Sequence, residues 1–132
     1  MGERLEILIL DDESIVGQRL KAALEKEGYL VEVFVRSSEA ATRLLEKQFD
    51  IVVTDIRMEG MDGLQLLERV KRKSPGTKVI IITGYASMDL AREAASKGAF
   101  DFIAKPFRIG TMRDKITKAA KELEKERTAV GN

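Results

Sequence analysis

The chain has no cysteine and no histidine. Without cysteine there is no disulfide scaffold, no thiolate zinc site and no cysteine nucleophile. Without histidine there is no Ser-His-Asp triad, no imidazole metal ligand and no residue that could itself carry a phosphohistidine. Neither sign of charge is in excess: 23 Lys+Arg against 22 Asp+Glu leave +1, a balance that advertises neither nucleic acid nor membrane as a partner. No apolar stretch approaches the ~20 residues needed to cross a bilayer. The opening Met1-Gly2-Glu3-Arg4 lacks the apolar core of a signal peptide. The expectation is a soluble, cytoplasmic protein with no membrane partner.

What is present suffices for one domain. A length of 132 residues lies within the usual range, and 44% hydrophobic content can build a core. Apolar runs of strand length alternate with stretches of helical period, the pattern of βα units and a parallel sheet. Strands are expected at about 5–10, 30–35, 51–55, 79–83 and 101–104. The first helix carries a stripe of Ile15, Val16, Leu20, Ala23 and Leu24 and is closed by Gly28. Ser37-Ser38 offers an N-cap to a second helix through Lys47, with Ala41, Leu44 and Leu45 inward. Asp62 caps the third, whose inner face is Leu64, Leu67 and Val70, and Ser74-Pro75-Gly76 breaks it. A fourth helix runs from about Ser87 to Lys97 before Gly98, and a fifth starts near Arg108 with Met112, Ile116, Ala119, Ala120 and Leu123 inward. From Glu122 onward the apolar period is lost, so the end is expected to fray.

Four of the apolar runs end on polar residues. Ile7–Leu10 meets Asp11-Asp12, and Ile51–Thr54 meets Asp55. Val79–Ile82 meets Thr83, and Phe102–Ala104 meets Lys105-Pro106. In open α/β sheets ligands bind at the carboxyl edge of the strands. Three carboxylates, a hydroxyl and an ammonium converging there are equipment for a divalent cation and a phosphoryl group. Each position also has a plainer reading. Asp55 could cap a turn, Asp11-Asp12 could N-cap the first helix, and Phe102 could be an ordinary half-buried aromatic.

In that order and at those strand ends, Asp11-Asp12, Asp55, Thr83 and Lys105-Pro106 resemble the receiver domain of two-component response regulators, the chemotaxis-regulator family. The resemblance covers about residues 5–123. It implies a flavodoxin-like α/β fold: a five-stranded parallel sheet of order 2-1-3-4-5 with helices on both faces. It divides the chain into a receiver at 1–123 and a charged tail or linker start at 124–132.

The resemblance also implies roles. Asp55 is the phosphorylation site, with Mg²⁺ touched by Asp12 and Asp55, by Asp11 through water, and by the backbone carbonyl of Arg57. Lys105, ahead of a cis proline bond, pairs first with Asp55 and then with the phosphoryl group. Thr83 and Phe102 form a switch, in which the hydroxyl moves to the phosphoryl group and the ring fills the space it leaves. Arg57 and Tyr85 overhang the site and tune phosphoryl lifetime. Glu59 stands where proline is common in this loop.

The implied partners are a histidine kinase or phosphotransfer protein and a downstream protein or the chain's own output domain. A homodimer could form on phosphorylation, using the face of helix 4, strand 5 and helix 5, with Ala86, Leu90, Ala94, Ile109 and Met112 as contributors. Gly84-Tyr85-Ala86 and Gly98-Ala99-Phe100-Asp101 resemble receivers of enhancer-binding transcription regulators, in which Lys118–Arg127 would be a helical linker. No recognition helix is present, so direct nucleic-acid binding by this chain is not expected. Two other classes fit poorly. A haloacid-dehalogenase-type phosphohydrolase places a second acid where Arg57 stands, and a flavodoxin-like cofactor binder would not follow strand one with Asp11-Asp12-Glu13.

Overall fold

Runs such as Ile7–Leu10 and Val79–Ile82 have no polar face, so as strands they must be covered on both sides. The computed structural model, which describes residues 4–57, 60–85 and 87–131, places them at the centre of one sheet. Glu59 and Ala86 lie outside the described residues, as do Met1 to Glu3 and Asn132. The strands are β1 (Glu6–Leu10), β2 (Leu30–Phe34), β3 (Ile51–Asp55), β4 (Lys78–Thr83) and β5 (Asp101–Ala104). All pairings are parallel and the order is β2-β1-β3-β4-β5, as expected. The intervening helices are α1 (Ser14–Lys26), α2 (Ser37–Glu46), α3 (Gly63–Lys73), α4 (Met88–Ser96) and α5 (Ile109–Gly131).

The strand period of two divides the core into halves. Ile7, Ile9, Val53, Ile80, Ile82 and Ile103 pack on one face against Leu20 and Leu24 of α1 and Met112, Ile116 and Leu123 of α5. Leu8, Leu10, Val52 and Ile81 pack on the other against Ala40 of α2, Leu66, Leu67 and Val70 of α3, and Ala94 of α4. Each such large side chain contributes roughly 1.5–3 kcal/mol on burial, so the two halves together fix the register of every strand.

The helix ends follow their local chemistry. Gly28 (φ 97°) and Gly98 (φ 99°) close α1 and α4 in the left-handed region. Tyr29 N–H then reaches Leu24 O, and Ala99 N–H reaches Ala94 O. Asp62 forms a capping box with Gln65 at the start of α3, and Ser87 Oγ accepts from Leu90 N–H at the start of α4.

Several sequence expectations need correction. Helix α2 begins at Ser37 itself, after Arg36 as N-cap, and no side chain caps it. Ile15, on the apolar stripe of the first helix, and Leu45, expected inward, are 59% and 76% exposed. Helical period groups residues on a stripe, but the sheet covers only the middle of that stripe. Ala94 and Met112, offered as surface contributors, are buried core residues, while Leu90 and Ile109 are half-buried against that core. Helix α5 continues past Glu122 to Gly131, although the apolar period is lost there. Polar anchors replace the missing apolar period: Glu126 pairs with Lys78 at 2.6 Å and Arg127 with Asp50 at 2.5 Å.

One glycine governs how closely α3 approaches the functional edge. A Cβ on Gly63 would lie 2.5 Å from Asp55 O and 2.8 Å from Ile56 Cα, backbone atoms that cannot turn aside. Gly63→Ala is therefore expected to lower stability by roughly 1–3 kcal/mol, as overpacking does. Gly76→Ala, with nothing within 4 Å of the added carbon, should stay within about 0.5 kcal/mol of the parent. Urea denaturation of the two variants measures the difference.

Candidate functional site

Parallel pairing brings the ends of β1, β3, β4 and β5 to one edge of the sheet. Asp11 and Asp12 follow β1, Asp55 closes β3, Thr83 closes β4 and Lys105 follows β5. Five of the residues singled out in the sequence thus meet, although up to 94 positions separate the bonded pairs.

Lys105 Nζ lies at the centre. It donates to Asp55 Oδ2 at 2.9 Å, to Asp11 Oδ1 at 3.1 Å and to Glu13 Oε1 at 2.7 Å. An ammonium has three N–H donors, so this set uses all of them. Glu13 is a member of the site that sequence reasoning passed over. In the sequence it is one more acid in an acidic loop, and nothing in its spacing shows that it turns back onto a residue 92 positions away. The Lys105-Pro106 bond is cis, as the resemblance implied.

Backbone amides orient the carboxylates. Glu13 N–H donates to Asp11 Oδ1 at 2.8 Å, and Arg57 N–H donates to Asp55 Oδ1 at 3.1 Å. Asp11 bonds the amide of Glu13, the residue that precedes α1, so its carboxylate serves both the loop and the site.

Burial sets the electrostatics. Asp11 is wholly inaccessible, and this desolvation pushes its carboxyl above the usual range. Hydrogen bonds from Lys105 and Glu13 N–H offset that only in part, and the nearby Asp55 charge adds to it. For Lys105 burial works against the charge, yet hydrogen bonds to Asp55, Glu13 and Asp11 outweigh it and hold the ammonium well above the ordinary lysine range. It is a fixed positive charge.

The arrangement also suits a cation. One oxygen from each of Asp11, Asp12 and Asp55 lies within 4.8 Å of the others. Asp11 Oδ2 is the only buried side-chain oxygen or nitrogen without a hydrogen bond among the described residues. It sits 2.9 Å from Lys105 Nζ, so it is charge-paired with the ammonium without the geometry of a hydrogen bond. An all-oxygen donor set with one orphaned carboxylate oxygen fits a hard divalent cation. This acidic cluster could bind a metal.

The remaining predicted residues ring the cluster. Thr83 is buried, and its Oγ1 accepts from Tyr85 N–H at 3.0 Å. Phe102 is half-buried against the α2/α3/α4 half of the core, opposite Ile81, so it shares a sheet face with Thr83. The Arg57 guanidinium lies over the Tyr85 ring, 5.6 Å from its centroid, and both side chains are exposed. Neither side chain bonds Asp55.

A family model described as the response regulator receiver domain matches residues 7–117. The chain belongs to that family. The transcriptional regulatory protein ZraR of Klebsiella oxytoca is 36% identical over 118 residues, covering 89% of this chain and 27% of the relative. A CheY-like receiver domain protein from Methanospirillum hungatei superposes with a TM-score of 0.89 at 34% identity, covering 94% of this chain and 99% of that one. The beryllofluoride-activated NtrC4 receiver domain dimer superposes with a TM-score of 0.84 at 36% identity, covering 89% and 98%. The chain spans about a quarter of the length of the curated relatives it matches. Receivers are signalling domains of two-component systems that interact with histidine kinases; they are not conventional enzymes. Among the described residues no helix of this receiver is long and apolar enough to cross a membrane.

The raised carboxyl of Asp11 has a measurable sign. A carboxyl whose folded pKa exceeds its unfolded value stabilises most below the unfolded value, and that contribution is lost as pH rises through the folded one. Metal-free Asp11→Asn should therefore be more stable than the parent at neutral pH, by about 1 kcal/mol or a few degrees in Tm. The gap should close on acidification. Thermal melts in chelator across pH, repeated with added Mg²⁺, check both points, since cation linkage should stabilise the parent more than the variant.

Proposed function

We propose that this receiver is a phospho-acceptor, modified on Asp55 by a partner histidine kinase or phosphotransfer protein. The observation that carries the reading is the Lys105 ammonium, 2.9 Å from Asp55 Oδ2 in a cluster with two further aspartates. An Asp55 oxygen attacks the donor's phosphorus as the phosphorus–nitrogen bond to the partner's imidazole breaks. That imidazole, protonated on its other ring nitrogen beforehand, keeps the bonding pair and leaves as neutral histidine, and an acyl phosphate remains here. The imidazole must come from the partner, because this chain has no histidine.

Mg²⁺ is the cation proposed for the cluster, held by Asp12, Asp55 and the Arg57 carbonyl, with Asp11 acting through water. When bound it neutralises the carboxylates and the charge of the incoming phosphoryl group. Lys105 exchanges Asp55 for a phosphoryl oxygen and remains tethered by Asp11 and Glu13. The domain thereby promotes its own phosphorylation and, in time, hydrolysis of the acyl phosphate.

The readout proposed is Thr83. Its hydroxyl leaves Tyr85 N–H for the phosphoryl group, and Phe102, on the same sheet face, turns into the vacated volume. The altered face would consist of α4, β5 and the start of α5, where Leu90 and Ile109 are half-buried and Met88 is exposed. That face is proposed to meet a downstream protein, an output domain or a second receiver. The similar NtrC4 receiver is described as an activated dimer.

We place the receiver at 1–123 and read 124–132 as the start of a linker. The much greater length of ZraR favours a receiver within a longer transcription regulator, with DNA contacts made by another domain. A cytoplasmic location follows from this reading. The phosphohydrolase alternative gains nothing, because Arg57 occupies the position its second acid needs.

Acetyl phosphate with Mg²⁺ should add the mass of one phosphoryl group to the parent and none to Asp55→Asn. An equal gain in both would overturn the assignment. A second outcome concerns lifetime. Because Arg57 and Tyr85 stack on each other, either Arg57→Asn or Tyr85→Ala should speed phosphate loss several-fold. The double variant should do little more, since removing one partner already opens the approach of water. Additive acceleration would show that the two act separately.

A further inference from the structure

A second surface lies away from the acidic edge. Between α2 and α3 runs an open groove of about 460 Å³, floored by Ala41, Leu44, Leu66 and Val70. Its wall includes Ser74 and Thr77, which precede β4, so it sits toward the amino edge of the sheet, opposite Asp55. Leu45 stands on the rim with 76% of its surface exposed. A lone exposed leucine needs no explanation. An exposed leucine beside an apolar groove does.

The rim has one sign of charge. Every charged residue lining the groove is basic: Lys47, Arg69, Arg72 and Lys73. Two are already engaged, Lys47 by Glu6 and Lys73 by the Leu44 carbonyl. Arg69 and Arg72 form no ion pair among the described residues and are exposed, three positions apart on α3. Cations in a last helical turn complement the macrodipole, which accounts for Arg72 and Lys73. The same effect does not account for Arg69 a turn earlier.

From this geometry we infer that the α2/α3 groove docks an acidic amphipathic segment of a partner protein. A large aliphatic or aromatic side chain enters beside Leu45, and carboxylates one helical turn apart meet Arg69 and Arg72. Guanidinium groups suit this role because each can hold a carboxylate through two parallel N–H donors. An apolar anchor in a groove with flanking charges is a common form of helix recognition. The inference goes beyond phosphoryl acceptance and does not depend on it, since none of these residues touches the acidic cluster.

The test uses the full chain and a fluorescent helical peptide of about 15 residues, with leucines on one face and glutamates beside them. Saturable anisotropy binding is expected, weakened about tenfold or more by Leu45→Glu or by Arg69→Glu with Arg72→Glu. It should also weaken with salt and be absent for the same peptide with lysine in place of glutamate. All three positions are exposed, so melting curves should stay unchanged and separate lost docking from lost folding. Asp55→Asn should bind as the parent does, which keeps this outcome apart from that of phosphorylation. No binding, binding indifferent to Leu45→Glu, or equal binding of the basic peptide would each overturn the proposal. So would a concentration-dependent dimer that Leu45→Glu abolishes, because the groove would then belong to a second copy of the chain.

Discussion

The acidic edge can exist only because Lys105 is there. Asp11 and Asp55 are buried within reach of each other, and like charges so placed repel while losing water. Lys105 answers both costs with a single ammonium, bonded to each of them and to Glu13. Burial of that ammonium would ordinarily favour its neutral form, but three carboxylate partners reverse the balance. The cluster is therefore mutually dependent. Removing the lysine leaves uncompensated buried charge, and removing one carboxylate relieves crowding.

This dependence is also incomplete. Three ammonium donors cannot satisfy every carboxylate lone pair, and the shortfall appears at Asp11 Oδ2. Part of the folding free energy is in this way held against the site. A cation would recover it, a stability cost of the kind concentrated where ligands bind. The rest of the fold offsets the cost through the two core halves, in which the central strands β1, β3 and β4 are buried along most of their length.

Much of this was legible in the sequence because the period of a buried parallel strand leaves little choice. Four apolar runs ending in Asp11, Asp55, Thr83 and Lys105 fix a sheet edge once the strands are parallel, and Gly28, Asp62 and Gly98 mark helix ends by local chemistry alone. What the pattern could not give was the width of each buried stripe. Ile15 and Leu45 sit on the helical period of α1 and α2, yet both stand exposed. Nor could it give contacts between polar residues far apart in the chain. Glu13 on Lys105 and Arg127 on Asp50 have no periodic signature. The second of these, with Glu126 on Lys78, is why α5 continues past the point where its apolar pattern stops.

The two ends of the sheet therefore do different work through the same element order. At the carboxyl edge Asp11 and Asp55 are buried and share one lysine, so small changes of charge there carry large free energies. At the amino edge the ion pairs are partly exposed, and pairs of that kind contribute roughly 0–1 kcal/mol each. They position the last turns of α5 without making them rigid. Strand β5 leads directly from Phe102 to Lys105, and α5 then runs the length of the domain from beside the acidic cluster to Asp50 and Lys78. A helix strongly packed at Met112 and Ile116 and lightly held at Glu126 and Arg127 can shift most at its far end. The free-energy gradient along α5, steep near the acidic edge and shallow at the other, is the physical asymmetry that a signal leaving this domain along that helix would exploit.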